Sequence, residues 1–306
     1  MGTPGFAVGV LQKLVEEGKN IVGVITSPDK PAGRGRKLMQ SAVKEYALSK
    51  GLKILQPTNL KEEGFITELK SLNANLQIVV AFRMLPKVVW NMPSYGTFNL
   101  HASLLPLYRG AAPINWAIIN QEEKTGVTTF FIDDKIDTGE IILKEEVSIS
   151  ENETIGSLHD ILMNLGSELV IKTVNLLQIG NVTTTKQSQE ELLKEAPKLT
   201  KENTKINWKD SATNINAFIR GLNPYPAAWS LLYDEKELKV KIFDTNFVLE
   251  KHQLETGTIL ATKKEMKVAV NDGYLIINEM QIPGKRKMDI KSLLNGFSFN
   301  RNAKML

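Results

Sequence analysis

The sequence predicts an α/β protein, with a parallel sheet in the first part of the chain and a small β-barrel in the last part. Over residues 1–180, apolar stretches of strand length alternate with helical patterns, which is the order that builds a parallel sheet. Residues 76–82 are almost continuously apolar, as in a strand that is buried on both faces. After residue 208, several short alternating segments follow one another, as in a small barrel.

Within the first domain (residues 1–180) we predict a Rossmann-like sheet from the spacing of the apolar residues. Thr3 and Pro4 are typical of a helix start, with Thr3 as the cap. Residues 27–37 carry no hydrophobic period and are expected to form a loop. Helices are expected over residues 4–15, 41–49, 62–72, 86–90, 113–120 and 155–177. Strands are expected over residues 21–25, 53–55, 76–82, 97–101, 126–132 and 141–147.

The pattern becomes polar after residue 180, so we predict a linker over residues 181–207 and a second domain over residues 208–306. The turn Asp272-Gly273 lies between two alternating runs and indicates a hairpin. An oligonucleotide-binding-type (OB-like) barrel fits this succession of short strands. Its helices are expected over residues 211–222 and 289–296, and its strands over residues 229–233, 238–243, 257–262, 266–271 and 274–281.

Composition excludes several classes of site. The chain has no cysteine, which excludes disulfides, thiolate catalysis and cysteine-zinc centres. Its three histidines are scattered, so no metal site is expected. No glycine-rich Gly-x-Gly-x-x-Gly motif follows a predicted strand, which argues against a dinucleotide cofactor. No apolar stretch is long enough to cross a membrane and no signal peptide opens the chain, so we expect a cytoplasmic protein, a monomer, without membrane contact.

The positive charge is unevenly distributed. The net charge is +4, and residues 201–306 carry 17 Lys and Arg against 12 Asp and Glu, whereas the first 200 residues carry 21 against 22. The whole basic excess therefore lies in the last third of the chain. Either a solvated lysine-rich surface or a surface for phosphates produces such an excess.

The chemistry is predicted at the end of the strand over residues 97–101. Asn99 and His101 are two residues apart, so an extended chain projects both side chains from one face. An amide can donate to a developing oxyanion, and an imidazole can move a proton near neutral pH. A carboxylate that orients His101 would complete an acyl-transfer site. Asp137 is our choice, and the residues alone leave Asp133 and Asp134 as rivals.

A longer motif surrounds these residues. Asn-x-His-x-Ser-Leu-Leu-Pro spans residues 99–106, Arg-Gly-Ala-Ala-Pro-Ile spans residues 109–114, and Asp-Thr-Gly spans residues 137–139. This combination resembles the catalytic motif of the folate-dependent formyltransferases. Residues 27–35 with 37–39, residues 200–208 and residues 223–229 are similar to the branch of that family that acts on methionyl-tRNA. The resemblance covers nearly the whole chain.

The resemblance implies a reaction and a set of site residues. A formyl group would pass from 10-formyltetrahydrofolate to the amino group of methionine on initiator tRNA, for translation initiation, leaving tetrahydrofolate. Asn99, His101 and Asp137 would be catalytic, and no metal would take part. The wall against the folate would comprise Ser103, Leu104, Leu105 and Pro106. The basic loop that contacts tRNA would include Arg34, Arg36 and Lys37.

Two alternatives remain at this stage. One is a formyltransferase that acts on an amino sugar or a glycinamide nucleotide, and the basic loop and the second domain argue against it. The other is a catalytically inert RNA-binding protein, and the intact set of Asn99, His101 and Asp137 argues against that.

The chain departs from the family pattern at two places. Phe82-Arg83 replaces the more usual Tyr-Gly, which would leave the bulky Arg83 beside the folate pocket. The chain also begins at the turn Gly2-Thr3-Pro4, where the family has a strand before it. We therefore expect that about four to eight apolar, β-branched residues precede Met1 in the natural protein, Met1 being an internal methionine taken for the start.

Overall fold

A computed structural model describes residues 1–32, 37–180, 182–188 and 194–306. The helices are α1 (Gly5–Glu16), α2 (Ala42–Ser49), α3 (Glu63–Ser71), α4 (Lys87–Trp90), α5 (Pro113–Ile119), α6 (Ile155–Ile179), α7 (Ala212–Arg220) and α8 (Ile290–Leu294). The strands of the first 196 residues are β1 (Val24–Ile25), β2 (Lys30–Ala32), β3 (Lys37–Met39), β4 (Ile54–Leu55), β5 (Gln77–Val80), β6 (Thr97–His101), β7 (Arg109–Gly110), β8 (Lys124–Phe131), β9 (Ile141–Ser148) and β10 (Glu195–Ala196). The later strands are β11 (Ala228–Asp234), β12 (Lys236–Leu249), β13 (Ile259–Ala261), β14 (Met266–Val270), β15 (Gly273–Gln281), β16 (Met288–Asp289) and β17 (Lys304–Met305).

The chain divides into two compact units. The first comprises Met1–Gly110, Thr125–Val147 and His159–Glu195, and the second comprises Ala111–Lys124, Ser148–Leu158 and Ala196–Leu306. Among the described residues, no helix has both the length and the apolar character that a membrane crossing requires.

The first unit contains the parallel strands that the sequence predicts. Strand β1 pairs in parallel with β4, and β5 pairs in parallel with β6. The sheet continues through β8 to β9, but β8 runs antiparallel to β6 and places Thr128 opposite His101. The predicted α/β fold is confirmed, with an antiparallel strand beyond β6.

Met1 and Gly2 link β1 to β5. The Gly2 amide donates to the carbonyl of Ile25 at 3.0 Å, and the Val80 amide donates to the carbonyl of Met1 at 2.9 Å. A largely apolar cavity of about 360 Å³ adjoins these two residues, and residues 20–25 and 72–78 line much of it. The Met1 ammonium is buried there and donates to the Ile78 carbonyl at 2.7 Å, and this burial lowers its pKa to about 5. The expected strand before Met1 stays a prediction.

The second unit is built around an antiparallel sheet in the order β13, β14, β15, β12, β11 and β17, with β16 on β15. Its two edge strands approach each other, because Met305 donates to the Gly257 carbonyl at 2.8 Å and Thr258 bridges Lys304. The sheet is thereby nearly closed on itself. Apolar side chains of α7 and of the strands fill its interior, among them the fully buried Ile219, Leu232 and Leu275. The predicted small barrel is confirmed.

Some local predictions were wrong. Within residues 27–37, expected to be a loop, Lys30–Ala32 form β2, which pairs with β3 (Lys37–Met39) and places Lys30 opposite Met39. Helix α1 begins at Gly5 after Pro4, and the Thr3 hydroxyl lies 2.9 Å from the Ser27 hydroxyl instead of capping the helix.

Candidate active site

Strand β6 carries Asn99 and His101 and is paired with a neighbouring strand on each side. In register, Asn99 lies opposite Val79 of β5 and Phe130 of β8. The neighbours Phe98 and Leu100 are buried, as expected for the alternate face of the strand. A strand that is paired on both sides moves little, so both polar side chains have fixed starting points.

The hydrogen bond that His101 makes defines which of its ring nitrogens carries the hydrogen in the neutral side chain. Its Nε2 donates to the carbonyl of Tyr108 at 2.8 Å, since a carbonyl oxygen can only accept. In the neutral ring, Nδ1 is therefore the acceptor. Nδ1 lies 3.8 Å from Oδ2 of Asp137, which is beyond hydrogen-bond distance but close enough for a charge to be felt. The imidazole is buried, with 7% of its side chain exposed. His101 is thus oriented with its basic nitrogen toward a carboxylate.

Of the three candidate aspartates, Asp137 is the one whose carboxylate lies beside His101. Its Oδ2 also accepts from the Gly110 amide at 3.0 Å. Asp133 instead closes its own turn, accepting from the Lys135 amide and from the hydroxyl of Thr138. Asp134 is exposed to solvent.

The side chain of Asn99 is half-buried and has no hydrogen-bond partner among the residues that the structure describes. A buried or half-buried amide is usually paired. An unpaired amide on the same strand face as His101 is available to donate to a bound group.

The segment after β6 is fixed by hydrogen bonds. The Ser103 hydroxyl donates to the Leu107 carbonyl at 2.6 Å, and the Thr128 hydroxyl donates to the Ser103 carbonyl at 2.7 Å and accepts from the Leu105 amide. Leu105 is fully buried and precedes Pro106 in a cis peptide bond, whereas Leu104 and Pro106 are half-buried. This segment forms a rigid wall beside the strand end.

Lys144 also holds this segment, because its ammonium donates to the Leu105 carbonyl. Burial lowers the pKa of Lys144. Sequence reasoning missed this residue, since a lysine followed directly by two glutamates near the end of a strand gives no signal.

The remaining predicted residues are the tRNA-binding residues of the basic loop and Arg83. Arg34 and Arg36 lie outside the described residues, and only the backbone of Lys37, at the start of β3, is described. Arg83, expected beside the folate pocket, donates through its guanidinium to the backbone carbonyls of Pro57 and Thr58.

Two family models match this chain. The model described as formyl transferase matches residues 1–174, and the model described as formyl transferase, C-terminal domain, matches residues 198–298. Together they cover most of the chain and include every residue of the site described above.

Curated relatives match along the full length. The methionyl-tRNA formyltransferase of Flavobacterium johnsoniae is 59% identical over 306 residues, which is 100% of this chain and 97% of the relative. The enzyme of the same name from Bacteroides thetaiotaomicron is 52% identical, again over 100% of this chain and 97% of the relative.

Solved structures share the fold. A sugar 3N-formyltransferase, WlaRD, crystallised with dTDP and 5-N-formyl-THF, superposes with a TM-score of 0.63 at 22% identity and covers 93% of this chain and 97% of its own. An N-formyltransferase from Helicobacter canadensis, in complex with folinic acid and dTDP-3-aminofucose, has a TM-score of 0.65 at 22% identity and covers 90% of this chain and 96% of its own. The predicted resemblance is confirmed by the family models and the full-length relatives: the chain belongs to the formyl transferase family.

Proposed function

We propose that the protein transfers a formyl group from 10-formyltetrahydrofolate to the amino group of the methionine esterified to initiator tRNA, the reaction that prepares this tRNA for translation initiation. The observation that carries the proposal is the amide of Asn99, unpaired among the described residues, on the same strand as His101, whose ring is oriented toward Asp137. Full-length relatives named methionyl-tRNA formyltransferase support the choice of acceptor.

Asn99 is assigned to stabilise the developing negative charge. When the amine attacks the formyl carbon, the formyl oxygen becomes an oxyanion that needs a hydrogen-bond donor. Collapse of this intermediate breaks the bond between the formyl carbon and N10 of the folate, and tetrahydrofolate leaves with a proton on N10. Because no described residue pairs with the Asn99 amide, both of its N–H groups are available to the oxyanion. One well-placed donor of this kind contributes about 3 kcal/mol to the stability of the transition state.

His101 and Asp137 are assigned to remove the proton that the amine must lose. The basic Nδ1 of His101 faces the carboxylate of Asp137, so an imidazolium formed by proton uptake would be stabilised by the opposite charge. Because the 3.8 Å between Nδ1 of His101 and Oδ2 of Asp137 exceeds hydrogen-bond distance, the two groups do not share a proton directly. The proton of the amine therefore passes to His101, directly or through a bridging group. Asp137 also fixes the position of the Gly110 backbone.

The segment of Ser103, Leu104, Leu105 and Pro106 is assigned to the folate side of the site. Its hydrogen bonds to Thr128 and its buried Leu105 make it a preformed wall. A preformed wall binds a planar ring system without first having to be ordered.

A lysine cluster in the second unit is assigned to RNA. The ammonium groups of Lys201, Lys205 and Lys239 lie 5.9, 5.8 and 4.0 Å from the ring centroid of Trp229. Desolvation, followed by the charges of Lys201 and Lys241, lowers the pKa of Lys239, and the single carboxylate of Glu202 offsets this only in part. Because these like charges repel each other, a phosphate group placed among them would relieve the repulsion.

The basic loop with Arg34, Arg36 and Lys37 is assigned to the same partner on the strength of its sequence. Arg34→Ala is expected to raise the KM for tRNA and to weaken its salt dependence, with folate binding unchanged. Unaltered tRNA kinetics would remove the loop from the interface.

A competition experiment tests the proposed acceptor. The protein is incubated with 10-formyltetrahydrofolate and an equimolar mixture of methionyl initiator tRNA and a dTDP-linked amino sugar, and the formylated products are identified by mass spectrometry. We expect formyl-methionine on the tRNA. Formylation of the sugar alone would favour the amino-sugar alternative, and no product from either acceptor would favour an inert RNA-binding protein.

A further inference from the structure

Asp137 occupies an uncommon backbone conformation. Its φ is 53°, in the left-handed region that most residues other than glycine avoid. A conformation of this kind persists when the surrounding structure over-determines it. The contacts of the Asp137 backbone therefore show what keeps its carboxylate in place.

Two side chains converge on the carbonyl of Asp137. Nε of Arg109 donates to this oxygen at 3.0 Å, and Nε2 of Gln187 donates to it at 3.0 Å. The same Gln187 nitrogen donates to the carbonyl of Gly139 at 2.8 Å. The two donors thus hold the loop on both sides of Thr138.

Arg109 and Gln187 also hold each other. Nε and Nη2 of Arg109 donate to Oε1 of Gln187 at 3.1 and 2.7 Å. The carboxamide of Gln187 therefore uses both ends, its oxygen toward Arg109 and its nitrogen toward the loop. The residue after Arg109, Gly110, donates its amide to the carboxylate of Asp137. The backbone and the carboxylate of Asp137 are consequently held by the same short strand, β7.

Gln187 belongs to a segment that the sequence suggested as a linker. The structure fixes this segment against the start of β9, where Ile141 and Thr185 exchange backbone hydrogen bonds of 2.8 and 2.9 Å. Gln187 follows two residues after this bridge, so its backbone is anchored at the start of β9, in addition to the contacts of its side chain.

We propose that Gln187 and Arg109 are positioning residues that fix the carboxylate of Asp137 against His101 during formyl transfer. The inference rests on the proposed function, in which Asp137 supports the proton transfer. In the alternative, purely structural role, the two side chains only tether the segment over residues 182–188 to the protein. The alternative predicts a loss of stability, whereas the positioning role predicts a loss of turnover that disappears when Asp137 is already disabled.

The central variant is Gln187→Leu, which keeps the size of the side chain and removes all of its hydrogen bonds. We expect kcat to fall about tenfold or more, because small misplacements of a catalytic group are costly, with the KM values for tRNA and folate within about twofold. In an Asp137→Asn background, the same substitution should lower kcat no further. Gln187→Glu retains the acceptor for Arg109 and loses the donors, so it should resemble Gln187→Leu.

Thr184→Val is the matched control. Thr184 lies in the same segment and its hydroxyl donates to Glu140 without contacting Asp137. Removing that contact loosens the segment and should leave kcat unchanged. Equal losses of kcat in Thr184→Val and Gln187→Leu would establish the tether and overturn the positioning role.

Amide hydrogen exchange separates this inference from the proposed function. The Gly110 amide donates to Asp137, so its protection reports the position of the carboxylate in the absence of any turnover. In Gln187→Leu we expect faster exchange at Gly110, while Thr184→Val retains the wild-type rate. Unchanged exchange at Gly110 in Gln187→Leu would overturn the inference even in an active enzyme. A wild-type protein without formyl transfer would overturn the proposed function, while the exchange experiment would still decide the role of Gln187.

Discussion

Burial of the Met1 ammonium should make the stability of a chain that begins at Met1 depend on pH. Desolvation lowers the pKa of this group from 8.0 to about 5 in the folded state. The folded value lies below the unfolded one, so between pH 5 and pH 8 the unfolded chain binds more protons. The stabilising contribution is therefore complete above pH 8 and is lost as the pH falls toward 5.

The size of the effect follows from the shift. The difference between 8.0 and about 5 is about 3 pKa units, and each unit corresponds to about 1.36 kcal/mol. We expect the free energy of unfolding to be about 4 kcal/mol lower near pH 5 than above pH 8, a large part of the 5–15 kcal/mol of a typical domain. Urea unfolding at pH 5.0 and 8.5 measures the difference, with retention of Met1 verified by mass spectrometry.

Two extended chains isolate the group from the other titrating residues. Four apolar, β-branched residues placed before Met1 would move the charge out and fill part of the cavity of about 360 Å³. Four glycine and serine residues would move the charge without adding apolar contacts. Both extensions should abolish this part of the pH dependence, and only the first should add stability at pH 8.5. An identical pH dependence in all three chains would refute the burial of the ammonium.

Three further substitutions test the site and the RNA surface. Asp137→Asn should lower kcat about a hundredfold, whereas Asp134→Asn, at an exposed position, should leave kcat unchanged; the reverse result would transfer the role to Asp134. Lys239→Gln should reduce the slope of the logarithm of tRNA affinity against the logarithm of salt concentration by about one. Lys263→Gln, in the turn between β13 and β14, should leave this slope unchanged. Equal slopes in the two variants would exclude the lysine cluster from the tRNA interface. Gly139→Ala would place a methyl group against the carbonyl oxygen of Phe131, the last residue of β8, so the loop must shift. We expect about 1–3 kcal/mol of destabilisation in thermal unfolding and a lower kcat, and a wild-type kcat would mean that the loop geometry does not matter.

The sequence was sufficient to locate most of the elements. Strand β6 begins and ends where the pattern predicts, because its apolar and polar residues alternate and Pro106 follows soon after. The hairpin between β14 and β15 was also predicted, although its two-residue loop is Asn271-Asp272 and Gly273 already pairs with Val270. Local signals of this kind do not depend on distant parts of the chain.

Other elements depend on contacts that the sequence does not display. Strand β12 continues past Phe243, where the predicted strand ended, and its pairing with β15 shifts in register around Asp244. The two residues of β17 form a strand only because Leu232 and Tyr233 lie beside them.

The candidate site shows the same division. Asn99 and His101 could be proposed from their spacing on one strand, whereas the preference for Asp137 over Asp133 needed the family resemblance. Gln187 could not be found, because a glutamine in a polar stretch carries no periodicity and its partners, Arg109 and Asp137, lie far from it in the sequence. Side chains that act through long-range hydrogen bonds become visible in the folded structure alone.

The central claim is that Asn99 and His101 carry out formyl transfer to methionyl-tRNA. The most direct measurement is the single-turnover rate of formylation at saturating tRNA and 10-formyltetrahydrofolate, for the wild type, Asn99→Ala and His101→Ala. We expect both variants to retain cooperative unfolding and to react at least about a hundredfold more slowly than the wild type. A rate close to that of the wild type in either variant would contradict its role in the reaction.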